Sequence, residues 1–364
     1  MRCKAQVASQ APRFLCIAYA PGKTHCVAVK NSPGQSICLF LLLLAAAESG
    51  YSAPPALVDG TGRPHIIKQG TIDCDLVETT PIVFKGRVFR FEWVRKGYWD
   101  NQFKQDYFRL VERQTGKPTE PFAFGHEFGS AFVAGNTVYV TGTSTSRSTI
   151  YMFASKDLKT WQTWTAFHDP NFGIFNTSIC KAGREYVLMF EIDRPADQAG
   201  VPFTARFLTS KDLHHWELTP AECNYAKDRY TAPHCLRYLD GYFYDFYLEA
   251  HNGYEMRVVR SRDLIHWEPS PLNPVLKASD EDRKILNPNL PPQLRQRIAT
   301  ATNLNNSDID FCEYHHALLI NYSWGNQQGT EFLAEAVFPG TGKQFLRGWF
   351  PDQGKGKHEP ASPK

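Results

Sequence analysis

The stretch Ser155-Lys156-Asp157-Leu158-Lys159-Thr160-Trp161 occurs three times in the chain with small variations. The later copies are Ser210-Lys211-Asp212-Leu213-His214-His215-Trp216 and Ser261-Arg262-Asp263-Leu264-Ile265-His266-Trp267. Their tryptophans lie 55 and 51 residues apart. A period near fifty residues is typical of β-propeller blades and similar arrays, so this SxDLxxW repeat indicates the fold.

The surroundings of the repeat predict four antiparallel strands in each unit. A strand-like run precedes each copy, a short strand starts at each tryptophan, and two more runs joined by a turn lie between copies. Five such units make the fold class all-β, a five-bladed β-propeller of four-stranded antiparallel blades, with His65–Gly70 closing the ring. We expect the repeat's aspartate to bind the turn backbone and its tryptophan to pack between blades. The alternative is that the tryptophans are sugar platforms.

The ends of the chain are expected to lie outside the propeller. Residues 37–47 read ICLFLLLLAAA, an apolar run that fits a secretory signal and is too short to span a bilayer. A buried strand or core helix is the alternative. We therefore expect residues 1–53 to be a leader, residues 54–350 the propeller, residues 351–364 a disordered tail, and the protein to be secreted or periplasmic. Residues 271–306 interrupt the strand rhythm and are interpreted as an insertion over one face, with a short helix starting near its two prolines.

Composition narrows the class of ligand. The 364 residues carry a net charge of +3 without a long run of one sign, which disfavours a nucleic-acid binder. The aromatic content of 13% suits a pleated all-β fold and also a carbohydrate site. Behind the leader, five cysteines without metal-ligand spacing argue against a disulfide scaffold and a zinc site. We expect a monomer with no metal, no cofactor and no membrane span.

The candidate chemistry lies where the inner strands begin, because those strands line the channel of a propeller. Three of the five starts carry carboxylates: Glu78, Glu127 and Asp308. Glycoside hydrolysis needs one carboxyl group to protonate the leaving oxygen and another to activate water or attack the sugar. Repulsion between neighbouring carboxylates would raise one pKa toward neutrality. The alternative is that each carboxylate only satisfies backbone amides at a strand start.

Further residues near the expected channel mouth are candidate substrate-binding groups. Arginines there could hold a substrate carboxylate or form structural ion pairs, and Trp324 could be a sugar platform or a packed turn. The candidates are Arg95, Glu191, Arg206, Arg229, Tyr230, Glu249, Asn306, Asp310, Trp324 and Gln327.

The SxDLxxW repeat, the apolar leader and the five units resemble the five-bladed β-propeller glycoside hydrolases, which include arabinanase/β-xylosidase, invertase and levansucrase-like enzymes. The resemblance covers about residues 65–350. It implies a glycoside hydrolase that cleaves a terminal sugar from a plant or algal polysaccharide, in a pocket closed by the insertion.

The motifs of that family are altered in this chain. An Asp-Pro of the first blade corresponds here to Glu78-Thr79-Thr80-Pro81, and an Asp of the third blade corresponds to Asn176. The general acid of a Glu-Gly-Pro-His-like stretch is missing from Thr231-Ala232-Pro233-His234. These departures indicate a divergent member, with Asp308 as first candidate for the acid and Glu127 as second. They also keep open a non-catalytic carbohydrate-binding propeller.

Overall fold

The computed structural model describes residues 55–250, 253–329 and 331–351. The predicted leader, and all of the predicted tail except Pro351, lie outside these residues. Within the described ranges, the helices are all too short or too polar to cross a membrane.

The described residues form five antiparallel sheets, numbered here as blades 1 to 5 in chain order of their inner strands. The first strand of the chain is β1 (Ile67–Cys74), which belongs to blade 5. Blade 1 contains β2 (Thr80–Phe84), β3 (Arg87–Val94) and β4 (Tyr107–Glu112). Blade 2 contains β5 (His126–Ala134), β6 (Thr137–Ser144), β7 (Thr149–Ser155) and β8 (Gln162–His168).

The remaining blades repeat this order. Blade 3 contains β9 (Gly173–Ala182), β10 (Glu185–Arg194), β11 (Thr204–Ser210) and β12 (Glu217–Leu218). Blade 4 contains β13 (Tyr230–Leu239), β14 (Tyr242–Ala250), β15 (Tyr254–Ser261) and β16 (Trp267–Pro269). Blade 5 adds β17 (Asn305–Tyr314), β18 (Ala317–Gly325) and β19 (Glu331–Phe338). The helices are α1 (Ala196–Ala199), α2 (Pro292–Thr300) and α3 (Gly342–Gly348).

This arrangement confirms the five-bladed propeller. The ring closes as expected, because β1 pairs antiparallel with β19 as the outermost strand of blade 5. Blade 1 is the least regular: its outer position is held by residues 118–122, which form the isolated bridges Val111–Pro118 and Phe108–Phe122 with β4 and no continuous strand.

The SxDLxxW repeat forms a turn that its aspartate stabilises, as the sequence predicted. Asp157, Asp212 and Asp263 each accept two backbone N–H bonds, at 2.8–2.9 Å, from the residues two and three positions later. The tryptophan then packs against a neighbouring blade: Trp161 stacks on Phe122 of blade 1 with ring centroids 3.8 Å apart. The repeat therefore stabilises the blades and contributes nothing to a sugar site.

The insertion at residues 271–306 lies along the outer edge of β1. The Thr71 N–H donates to the Lys284 carbonyl at 2.7 Å, and the Leu286 N–H donates to the Thr71 carbonyl at 2.9 Å. The predicted helix is present as α2, where Arg297 forms an ion pair with Asp75 at 2.7 Å. No residue of the insertion lines the axial cavity described below. The expectation that the insertion closes the pocket is therefore wrong. The backbone of the insertion instead forms hydrogen bonds with N–H and C=O groups on the outer edge of β1, the strand that closes the ring.

Candidate active site

The inner strands aim side chains at the axis through local backbone irregularities. Register shifts interrupt β5, β13 and β17 near their starts. Glu78, Phe128 and Asp308 have φ angles of +55°, +52° and +54°. This left-handed backbone conformation raises the free energy of a non-glycine residue by about 1 kcal/mol or more. Such residues occur most often at functional sites. A bulge also re-aims the side chain that it carries, so these positions mark the mouth of the channel.

A cavity of about 260 Å³ lies at this mouth. Its lining comes from blades 1 to 5 and combines carboxyl groups, aromatic rings and one guanidinium. The lining residues are Glu78, Arg95, Phe128, Phe175, Asn176, Glu191, Phe203, Tyr230, Ala232, Pro233, Ser307, Asp308, Gln327 and Glu331. A smaller cavity of about 30 Å³ continues along the axis between the inner strands.

Glu78 is the carboxyl group best suited to carry an exchangeable proton. Burial raises the pKa of Glu78 to about 7; the Arg95 charge opposes this rise, and the Asp308 charge adds to it. The Arg95 Nη2 lies 3.5 Å from the Glu78 Oε2. The side chain of Asn176 is also within reach of Glu78, and its Oδ1 is buried without a partner among the described residues. A hydrogen bond from the Asn176 side chain opposes the rise in the pKa of Glu78, because it favours the carboxylate.

Asp308 and Glu331 bring two more carboxyl groups to the cavity from blade 5. Burial raises the pKa of Asp308, but the Ser307 hydroxyl, which donates to the Asp308 Oδ2, and the Arg95 charge oppose the rise. Burial and the nearby Asp308 charge raise the pKa of Glu331 to about 8. Of these two groups, Asp308 is the one whose ionised form is favoured by a donated hydrogen bond.

Glu191 is the most buried of the carboxyl groups that line the cavity. It is only 1% exposed. Its Oε1 accepts the His234 backbone N–H at 3.1 Å, and its Oε2 accepts the Asn176 side-chain N–H at 3.0 Å. Burial, with the Glu78 charge second, raises the pKa of Glu191 well above its usual value. Four acidic groups thus surround one cavity in environments that differ in charge and hydrogen bonding, as acid–base chemistry requires.

The structure brings six of the predicted residues to this cavity: Glu78, Arg95, Glu191, Tyr230, Asp308 and Gln327. Glu127 does not line it. The bulge in β5 presents Phe128 instead, and the Glu127 carboxylate faces Arg147 at 3.8 Å. The sequence position was therefore off by one residue.

Three predicted binding residues form structural contacts outside the cavity. Arg206 is 2% exposed and donates to the carbonyls of Thr219 and Pro220. Arg229 pairs with Glu249 at 2.9 Å on blade 4. These side chains are held by protein partners and do not line the axial cavity.

The remaining predicted residues are also committed elsewhere. Asn306 accepts from Lys68 at 2.8 Å beside the insertion, and Asp310 pairs with Arg237 and lies in the small axial cavity. Trp324 is fully buried, and its Nε1 donates to the Thr71 hydroxyl at 2.8 Å. A ring without exposed surface cannot stack on a sugar, so the prediction of a Trp324 platform is wrong.

The sequence analysis did not identify Glu331 or three phenylalanines that line the cavity. Glu331 opens β19, whose sequence EFLAEAVF is mostly apolar, and a charge at the start of such a strand is the available signal. Phe128, Phe175 and Phe203 looked like packing residues because aromatic side chains are frequent throughout this chain.

The fold and site define a five-bladed β-propeller with an acidic pocket on its axis. No family model and no curated protein matches the sequence. Among solved structures, the chain is similar to one described as a glycoside hydrolase, with a TM-score of 0.52 at 10% identity over 74% of this chain and 91% of that one. It is also similar to a thermostable family-43 glycoside hydrolase, with a TM-score of 0.51 at 10% identity over 74% and 92%.

A further similar structure is an α-L-arabinofuranosidase of Fusarium graminearum, with a TM-score of 0.49 at 11% identity over 75% of this chain and 97% of that one. The likeness to the two structures with TM-scores above 0.5 supports the fold that the resemblance implied, and at 10% identity it supports the fold alone. The chemistry has to be argued from the pocket.

Proposed function

We propose that this protein is a glycoside hydrolase that removes a terminal neutral sugar from a plant or algal oligosaccharide or polysaccharide. One observation carries the proposal: four carboxyl groups from three blades converge on one axial cavity, and the pKa of Glu78 lies at about 7. Acids and bases at work near neutral pH have pKa values in this range. The fold shared with solved glycoside hydrolases supports the same class.

The environments of the carboxyl groups assign their roles. Glu78 is the proton donor to the leaving oxygen, because a group with a pKa of about 7 is still partly protonated at neutral pH. Asp308 is the carboxylate that activates water or attacks the anomeric carbon, because the Ser307 hydroxyl and the Arg95 charge favour its ionised form. Glu191 and Glu331, both with raised pKa values, can donate hydrogen bonds to substrate hydroxyls.

The pocket favours one uncharged sugar ring. Its volume of about 260 Å³ is below the range of about 300–1,000 Å³ usual for drug-sized ligands. Phe128, Phe175 and Phe203 offer apolar surface to the carbon face of a ring. Arg95 is the one cationic side chain among its lining residues, so a uronic acid would meet uncompensated negative charge. These features support release of single terminal residues.

The test is turnover of a panel of neutral aryl glycosides and oligosaccharides by the wild type and three variants. We expect Glu78→Gln and Asp308→Asn each to lower kcat by a hundredfold or more. Glu127→Gln is the matched control, since Glu127 lies beside the same channel mouth but outside the cavity, and its rate should stay within twofold of the wild type. Wild-type rates in Glu78→Gln and Asp308→Asn would refute the assignment of roles. Saturable sugar binding without any product would favour the non-catalytic binding propeller.

We further propose that residues 1–53 direct export. The apolar run at residues 37–47 supports this, and the sequence remains the basis of the proposal. Expression of the full chain in a bacterium, followed by N-terminal sequencing of protein recovered outside the cytoplasm, tests it. An unprocessed protein confined to the cytoplasm would contradict it.

A further inference from the structure

A second cavity, of about 660 Å³, lies between blade 1 and the ring-closing strand β1. On the blade 1 side it is lined by residues 98–100 and by residues at and just after the end of β4. Residues 286–290 of the insertion form the opposite wall. We call this cavity the lateral cleft. It shares no lining residue with the axial pocket.

An exposed indole is fixed at the lateral cleft. Trp99 is 41% exposed, and its Nε1 donates to the Asp73 Oδ1 at 2.9 Å. The other oxygen of Asp73 accepts the Tyr98 hydroxyl at 2.9 Å, so two successive rings are held by one buried carboxylate. The indole is therefore pre-organised before any ligand arrives, which lowers the entropy lost on binding. A rigid exposed tryptophan is a common anchor for ligands that have an apolar face.

The arginines of the lateral cleft are already paired with carboxylates. Arg90 and Arg109 both donate to the buried Glu92, at 2.7 and 2.6 Å. Arg113 pairs with Glu335 at 2.9 Å. The described arginines of the lateral cleft are therefore all paired, which disfavours a phosphate. Of the other carboxylates, Asp73 accepts from Tyr98 and Trp99, and the exposed Asp100 accepts from Gln102. Each guanidinium still keeps N–H donors beyond those used in its pair.

This combination matches an uncharged polyhydroxyl ligand. The carbon face of a sugar ring can stack on Trp99, while hydroxyls accept from the spare arginine N–H groups and donate to carboxylate oxygens. The lateral cleft is also more than twice as large as the axial pocket, so it accommodates more than one sugar unit. We propose that the lateral cleft is a second saccharide-binding site, which holds an internal stretch of a neutral polysaccharide through Trp99.

The proposal does not depend on hydrolysis, and its test uses binding alone. Native gel electrophoresis through soluble arabinan, xylan or galactan measures retention of the protein by each polymer. Every variant carries Glu78→Gln so that the polymer is not shortened. Trp99→Ala should raise the dissociation constant at least tenfold for the polymer that retains the parent protein. Tyr254→Ala is the matched control, because Tyr254 is equally exposed at 41% but lies on blade 4, and its dissociation constant should stay within twofold.

Three results would overturn the proposal: no retention by any of the polymers, equal retention of the parent and Trp99→Ala, or equal losses in Trp99→Ala and Tyr254→Ala. If near-ultraviolet circular dichroism finds Trp99→Ala unfolded, Asn289→Arg replaces it. Asn289 is exposed at the wall of the lateral cleft, so an arginine there narrows the cleft without disturbing the core. The same tenfold weakening is then expected. If the wild type turns over none of the sugars, the proposed function is contradicted. The binding test of the lateral cleft can still be interpreted in that case.

Discussion

Replacing Glu331 by glutamine should stabilise the protein at high pH and leave it nearly unchanged at low pH. The carboxyl group of Glu331 is largely buried beside Asp308, and both factors raise its pKa from 4.5 to about 8. Glutamine keeps the shape of the side chain and removes the charge. The variant therefore isolates the free energy that the fold loses by holding this negative charge in the axial cavity.

The sign and size follow from proton linkage. Because the pKa is higher in the folded state, the folded protein binds this proton more tightly than the unfolded chain. Its stabilising contribution is complete below about pH 4.5 and is lost as the pH rises through about 8. At about 1.4 kcal/mol for each tenfold difference in acid strength, the full loss is about 5 kcal/mol, of which about 4 kcal/mol falls between pH 5 and pH 9. Glu331→Gln should therefore gain about 4 kcal/mol over the wild type at pH 9, relative to their difference at pH 5.

Urea unfolding at pH 5, 7 and 9 measures this difference directly. Glu185→Gln is the control, because Glu185 is exposed at the start of β10, and its difference from the wild type should not vary with pH. A difference between Glu331→Gln and wild type that stays constant from pH 5 to pH 9 would refute the burial argument. A difference that grows toward low pH would show that the sign of the linkage is wrong.

Three further outcomes follow from the same contacts. Arg95→Met removes the charge that lowers the pKa of Glu78, so the limb of the pH–rate profile assigned to Glu78 should move to higher pH, as measured by kcat between pH 5 and 9. Trp324→Ala removes a fully buried ring and should lower the free energy of unfolding by about 3–5 kcal/mol in urea titrations. Asp263→Ala removes two backbone contacts of the repeat turn and should lower the Tm by a few degrees in calorimetry, without changing sugar affinity.

The fold could be predicted because its determinants are local and repeated. The aspartate of the SxDLxxW repeat binds amides within three residues of itself, so the motif specifies its own turn wherever it occurs. Strand alternation and the roughly fifty-residue period then fix the number of blades. Blade 1 lacks the repeat, and its outer strand is the one that the structure reduces to isolated bridges.

The site could be predicted only in part because it depends on contacts between distant residues. Glu78 and Asp308 line the axial cavity, as their positions at inner-strand starts suggest. Glu127 was misplaced because a bulge shifts the register of β5 by a step that strand alternation does not reveal. Trp324 was assigned to a sugar because its burial depends on Thr71, which is more than 250 residues away in the chain.

The altered motifs and the retained acidic pocket have a common physical explanation. Asn176 stands where the resemblance implies an aspartate, and its side chain donates to Glu191, which comes from the neighbouring strand β10. The His234 backbone N–H, from the stretch that lacks the expected acid, donates to the other oxygen of Glu191. The electrostatic effect of a carboxyl group on a reacting atom depends on the distance between them and on the polarity of their surroundings. It does not depend on which strand carries the carboxyl group. A carboxyl group can therefore be lost at an inner-strand start and supplied by a neighbouring strand, which keeps the pocket acidic while the sequence motif disappears.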